Sequence, residues 1–219
     1  MASFKNSLVA IFVTLIFFPL SLCANEFDQA VEDYNNGGYI KALNAFYSLA
    51  KEDNIKAQYN VGLIYANGLG VKRDLIEAQK WYGKAAKQGN AAAQYNLAQL
   101  YQSLGIKDPN AYEKAKYWYE KAVEGGLKEA YTNLGALYAQ GLGVEKDHQK
   151  ALELFEKAAS TGDSAAQVNA AVLYAWGEGI KHDKMKAYEN LKKALKAGQS
   201  EASGHLDKLC KESAWVCQD

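Results

Sequence analysis

The chain has one arginine, Arg73, among its 25 basic residues. A surface that grips phosphates or reads bases normally uses several guanidiniums, whose planar forks bind such groups through two bonds at once. Charge of one sign is also missing. Twenty-five acidic residues match the 25 basic ones, and removing residues 1–24, which hold only Lys5, leaves a net charge of −1. No broad field draws the chain to nucleic acid or to an anionic membrane. Proline is nearly absent. Only Pro19 and Pro109 occur, so an Ala- and Lys-rich chain is free to be helical along its length. Three histidines, His148, His182 and His205, are scattered through the sequence, and there is no Gly-x-Ser-x-Gly, Walker-type loop or His-Glu-x-x-His. These absences leave no recognisable catalytic or cofactor-binding constellation, and no metal or cofactor is expected.

One long hydrophobic run is present, from Leu8 to Leu22, preceded by Lys5. Fifteen helical residues at ~1.5 Å each reach roughly 22 Å, short of a ~30 Å hydrocarbon core. Residues 1–24 therefore read as a secretory signal cleaved near Ala24, so that the mature chain is exported, to a bacterial periplasm or beyond it, with no stable membrane span. Lipidation at Cys23 would need a small residue before it, and Leu22 stands there. The remaining cysteines, Cys210 and Cys217, are an even pair in an exported chain and are expected to form a disulfide. Seven residues of continuous helix would hold them ~10 Å apart. The last helix must therefore end between them, near Glu212-Ser213. With His205 they would supply at most three zinc ligands.

Self-similarity dominates the rest. Ala57-Gln-Tyr-Asn-Val-Gly-Leu-Ile-Tyr65 aligns with Ala93 to Tyr101, Ala130 to Tyr138 and Ala166 to Tyr174, at offsets of 36, 37 and 36 residues. Each block runs into a second pattern: Asp74, Ala78, Trp81-Tyr82, Ala85-Ala86 and Gly89 in the first, with counterparts ending at Gly126, Gly162 and Gly198. Ala57, Val61, Ile64 and Tyr65 fall on one helix face, as do Ala78, Trp81, Tyr82, Ala85 and Ala86. Each block is thus a helical hairpin. Gly68-Leu-Gly70, Gly141-Leu-Gly143 and Gly177-Glu-Gly179 are expected to turn between the helices with left-handed glycines. Val71, Val144 and Ile180 would plug these loops into the core. Asp74, Asp147 and Asp183 would cap the second helices, and Gly89, Gly126, Gly162 and Gly198 would end them. Gly62, Ala98, Gly135 and Ala171 form a small-residue column that permits close approach of backbones.

These residues resemble the Sel1-like repeat, a relative of the tetratricopeptide repeat. The resemblance covers 57–198 without a gap and implies an all-α, right-handed α-solenoid. The units are 57–92, 93–129, 130–165 and 166–201, flanked by an N-terminal capping hairpin at 25–56 and a C-terminal capping helix with a disulfide tail at 202–219. The second unit departs from the pattern. It lacks the first loop glycine, and Asp108-Pro109 reads as an N-cap followed by the first helical residue, which predicts a tighter loop and a longer second helix.

His148 and His182 adjoin the capping Asp147 and Asp183 and are expected at loop edges, not in a general-base pair. Trp81 and Trp118 read as core. Trp176, placed in a loop, and Trp215, in the tail, are less committed. One polar column stands out: Asn60, Asn96, Asn133 and Asn169 hold the same place on the four first helices. The resemblance implies that first helices line a concave face. There the amides could bond the backbone of an extended peptide, with Tyr59 and Tyr95 as aromatic anchors. Equally, each Asn could tie its hairpin to the next. The expected role is a protein or peptide adaptor in the bacterial envelope, not an enzyme. The competing implication of the resemblance is β-lactam binding or hydrolysis, as linked to cysteine-rich relatives. Those carry a disulfide in every repeat, whereas here only Cys210 and Cys217 could pair.

Overall fold

The computed structural model describes residues 20–218; the leader expected at 1–24 lies outside these apart from its last five residues, and the side chain of Cys23 is not described. The described residues form eleven α-helices and a terminal 3-10 turn. The helices pair as α1 (Leu20–Asn35) with α2 (Tyr39–Lys51), α3 (Ile55–Asn67) with α4 (Leu75–Lys87), and α5 (Ala91–Gly105) with α6 (Asn110–Glu124). Then follow α7 (Ala130–Gln140) with α8 (His148–Ser160), α9 (Ser164–Trp176) with α10 (Lys184–Lys196), and the closing α11 (Glu201–Glu212). Each helix packs on the ones before and after it, and α11 also reaches α9. Contacts are therefore local along the chain, as in a solenoid. Among the described residues no helix is long and apolar enough to cross a membrane.

The hairpins begin and end where capping chemistry says they should. Asp74 accepts from the N–H groups of Ile76 and Glu77, Asp147 from Lys150 and Asp183 from Lys186. Each bond satisfies a donor that a helix start leaves open. The first helices are capped in the same way by Asn54, Asn90 and Asp163. The repeat pattern begins on the alanine two residues inside each of these three helices, so it does not reveal their caps. Gly68 and Gly141 close α3 and α7 in the left-handed region, at φ 68° and 73°.

Gly177 corrects the sequence expectation. Its φ is −68° and ψ 133°, an extended conformation, and of its glycine pair only Gly179 is left-handed. A Cβ on Gly177 would come within 2.7 Å of the Leu173 carbonyl oxygen, so close approach and not handedness selects glycine here. Trp176 is a second correction. It is the last residue of α9, half-buried, and its indole N–H donates to Glu212 at 2.7 Å.

The second unit has the tighter loop and longer helix that its sequence predicts. The connection shrinks from residues 68–74 between α3 and α4 to 106–109 between α5 and α6. Helix α6 has 15 residues, against 13 in α4, α8 and α10. It starts at Asn110, one residue later than expected, and Asp108 still accepts from the Asn110 N–H.

The core runs continuously between the helices. Ala57, Val61, Ile64, Ala78, Trp81, Tyr82, Ala85 and Ala86 are buried, and their counterparts repeat along the array. The small-residue column explains the spacing: a Cβ on Gly62 would lie 2.6 Å from the Tyr82 ring, and one on Gly135 2.7 Å from the Phe155 ring. At the C-terminal end, α11 stops at Glu212, and a disulfide joins Cys210 to Cys217 with their Cα atoms 5.7 Å apart. The short 3-10 turn Ala214–Cys217 folds back and buries Val216, while Trp215 is exposed.

Candidate functional site

The first helices place the asparagine column at half-buried positions on α3, α5, α7 and α9. Its members do different things. The Asn60 amide donates to the Lys56 carbonyl of its own helix at 3.0 Å. Asn96 lines the same groove as Tyr82 of the preceding hairpin. The Asn133 amide donates to the Tyr95 hydroxyl at 3.0 Å, across a repeat boundary. Asn169 is half-buried on α9.

The tyrosines complete this arrangement. The Tyr59 ring packs 5.9 Å from Tyr82, and Tyr95 5.8 Å from Tyr119. Gln99 also donates to the Tyr95 hydroxyl, and the Tyr119 hydroxyl donates to Gln102. Burial pushes the phenols of Tyr82 and Tyr119 well above the ordinary tyrosine range, because the phenolate would lose its hydration. At Tyr95 burial raises the pKa and the bond from Asn133 works against it.

Two grooves open on this side. One, of about 320 Å³, lies between α3 and α5 with Leu63, Tyr82 and Asn96 in its wall. The other, of about 470 Å³, lies between α5 and α7 with Tyr112, Tyr119 and Asn133. Both are lined by Gln99 and Ser103. The structure thus sets Asn96 and Asn133 in two neighbouring grooves that share Gln99 and Ser103 of α5 as a wall. Asn60, Asn169, Tyr59 and Tyr95 line neither.

A second polar column was missed in the sequence. Gln58 is fully buried and donates to the Ala50 carbonyl at 3.3 Å, while Gln88 donates to the Gln58 carbonyl oxygen at 2.9 Å. Gln94 donates likewise to Ala86 at 3.0 Å. These glutamines stitch the starts of α3 and α5 to the end of the preceding hairpin. The signal was in view, since Gln follows the first alanine of three repeats. The carbonyl oxygens of Gln94 and Gln167 have no such donor among the described residues, because Gly125 and Ala197 stand where Gln88 does in the first repeat.

The histidines stay apart. His148 accepts from the Glu178 N–H at 2.7 Å, next to the Lys146–Glu178 ion pair, and together these clip one inter-helix loop to the next. The bond from Lys146 holds the Glu178 carboxyl below its usual range. His182 bonds the Gly177 carbonyl at 2.8 Å, and His205 faces Trp176. Among the described residues no three His, Cys, Asp or Glu side chains form a group fit to hold a metal ion.

Helical hairpins stacked with local contacts, a core of small and aromatic residues, and a groove walled by amides and phenols define an α-solenoid of the kind that serves as a protein-interaction scaffold. The Sel1 repeat profile matches residues 55–90, 91–127, 128–163 and 164–199, and the chain belongs to the Sel1 repeat family. Each matched unit begins near the start of a first helix. Solenoids of this family are generally non-catalytic scaffolds with protein partners.

The chain is similar to c5321, a protective antigen present in uropathogenic Escherichia coli strains, with 31% identity and a TM-score of 0.77 over 90% of this chain. It spans 45% of that protein's length. A Sel1 repeat protein from Oxalobacter formigenes is 30% identical, with a TM-score of 0.72 over 90% of this chain and 82% of that one. MamA shares the fold at 23% identity, with a TM-score of 0.55 over 80% of this chain and 96% of its own. No match was found among curated proteins.

Proposed function

We propose that the chain is an adaptor that binds an extended peptide or a protein segment along the first-helix side of the solenoid, and that it does so after export to the bacterial envelope. The observation that carries the binding reading is the pair of neighbouring grooves flanking α5, whose walls hold Asn96, Gln99, Ser103 and Asn133. The Asn133 amide already donates to Tyr95, and its carbonyl oxygen remains to accept from a peptide N–H. The two roles, tying repeats and facing a ligand, are therefore compatible at Asn133. Hydrolysis of β-lactams is not favoured by this site: its polar side chains are amides, phenols, Ser103 and Arg73, and no Lys, His, Asp or Glu lines either groove.

The export reading rests on Lys5 and the Leu8–Leu22 run. N-terminal sequencing of the protein recovered from bacterial envelope fractions should begin near Asn25; an intact Met1 there would count against it.

Binding is tested by a pull-down from envelope extract, comparing wild type with a variant in which Asn60, Asn96, Asn133 and Asn169 are changed to Ala, both checked for helicity by circular dichroism. One protein retained by the wild type and lost by the folded variant supports the reading. Equal retention makes the asparagines purely structural and moves the binding surface elsewhere.

A further inference from the structure

The two grooves that share Gln99 and Ser103 differ in charge. In the groove between α3 and α5 stands Arg73, the single arginine of the chain. Its Nε–H donates to the Ala66 carbonyl at 2.9 Å, which fixes the guanidinium at the groove wall and leaves its outer nitrogens on an exposed side chain. The neighbouring Asp74 carboxylate is engaged with the N–H groups of Ile76 and Glu77. The six ion pairs among the described residues are all made by lysines. Neither groove has an aspartate or glutamate in its lining, so the arginine charge is uncompensated there.

In the groove between α5 and α7 an exposed apolar side chain stands at the wall. The shortened loop of the second repeat lifts Ile106 into solvent at 82% exposure, next to Leu104 at 45%. Ile106 lines the groove together with Tyr112 and Leu142. Between the charge and the apolar side chain, Gln99, Ser103 and the asparagines offer neutral polar groups suited to a peptide backbone.

We infer that the partner segment is an extended peptide that sets a carboxylate side chain against Arg73 and an apolar side chain against Ile106, Tyr112 and Leu142. This rests on the first-helix side being the binding surface. A guanidinium with one nitrogen already anchored presents a planar fork that matches a carboxylate, and fixing it beforehand lowers the ordering cost of binding. The charge in one groove and Ile106 in the other give the segment its direction, because reversing it would set the carboxylate on isoleucine.

The test uses the purified protein and a phage-displayed library of random dodecapeptides. Selected sequences should share one Asp or Glu separated from a large apolar residue by several positions. In fluorescence anisotropy, Arg73→Gln should weaken such a peptide about tenfold or more, and changing the peptide acid to its amide should weaken the wild type equally. Combining the two changes should cost no more than either alone. Ile106→Ser, at an exposed position that the fold does not need, should weaken binding independently. Selected peptides without an acid, or an Arg73→Gln protein that binds them unchanged, would overturn the inference. If such peptides still depend on Asn96 and Asn133, the binding surface stands while its proposed polarity falls. If no peptide depends on any of these residues, both fall.

Discussion

The side-chain amide of Asn133 donates to the hydroxyl of Tyr95, 3.0 Å away in the preceding repeat. A residue 38 positions downstream thereby fixes the ring that packs on Tyr119. Asn60 holds the same place in its repeat but bonds only the Lys56 carbonyl within its helix. Asn133→Ala should therefore cost about 1 kcal/mol, lowering the melting temperature by about 2–4 °C in a chain of this size. Asn60→Ala should stay within about 0.5 kcal/mol of wild type. Thermal and urea melts followed by circular dichroism check both; equal losses would show that the inter-repeat bond contributes nothing special.

Glycines in helices divide by their surroundings. Gly62 faces the Tyr82 ring, 2.6 Å from where a Cβ would sit, whereas a Cβ on Gly83 would meet nothing within 4 Å. Gly62→Ala should destabilise by about 1–3 kcal/mol through overpacking. Gly83→Ala, inside α4, should stabilise by about 0.5–1 kcal/mol, because alanine restricts the unfolded chain and prefers the helix. Urea titrations of the two variants should move in opposite directions.

The Cys210–Cys217 bond closes a short loop that holds Val216 in the last core layer. Reduction should cost about 2–3 kcal/mol in the chain-entropy model. A lower melting temperature in reductant, matched by the Cys210→Ser/Cys217→Ser double variant, is the expected outcome. A double variant that ignores reductant yet melts like the oxidised wild type would contradict it.

Tyr82 and Tyr119 carry phenols whose pKa burial raises above the ordinary tyrosine value of 10.0. The sign follows from which state holds the proton. Below pH 10 both folded and unfolded chains are protonated, and the stability is fully present. Above it the unfolded chain ionises first, so stability falls as pH rises towards the folded pKa. Tyr82→Phe should flatten part of that alkaline loss, measured as melting temperature against pH from 8 to 11. An unchanged slope would show that other groups carry it.

Much of the fold was legible because repetition amplifies weak local signals. One Asp before an apolar run is a modest helix start, but Asp74, Asp147 and Asp183 at matching offsets fix three hairpins at once. The irregular second repeat was readable too, since Asp108-Pro109 carries its own start signal. What stayed hidden depended on neighbours in space. Gly177 looks like Gly68 and Gly141 in sequence, yet its backbone is extended, and it is the nearby Leu173 carbonyl that requires glycine there. The buried Gln58 and Gln94 resemble surface residues until the preceding hairpin's carbonyls are placed beside them. For the candidate site, the asparagine column was visible as a pattern. Only the geometry distinguishes Asn96 and Asn133, which line the grooves, from Asn60 and Asn169, which do not.

The most direct test places a photo-reactive benzophenone side chain at one of two positions and irradiates the protein with its captured partner or selected peptide. Ser103 is exposed and lines both first-helix grooves; Lys84 is exposed and lines a groove with Ile76 and Trp118 on the second-helix side. Cross-linking from position 103 and none from position 84 is the result expected if the first-helix side is the binding surface. Cross-linking from position 84 alone, or equally from both, would contradict it.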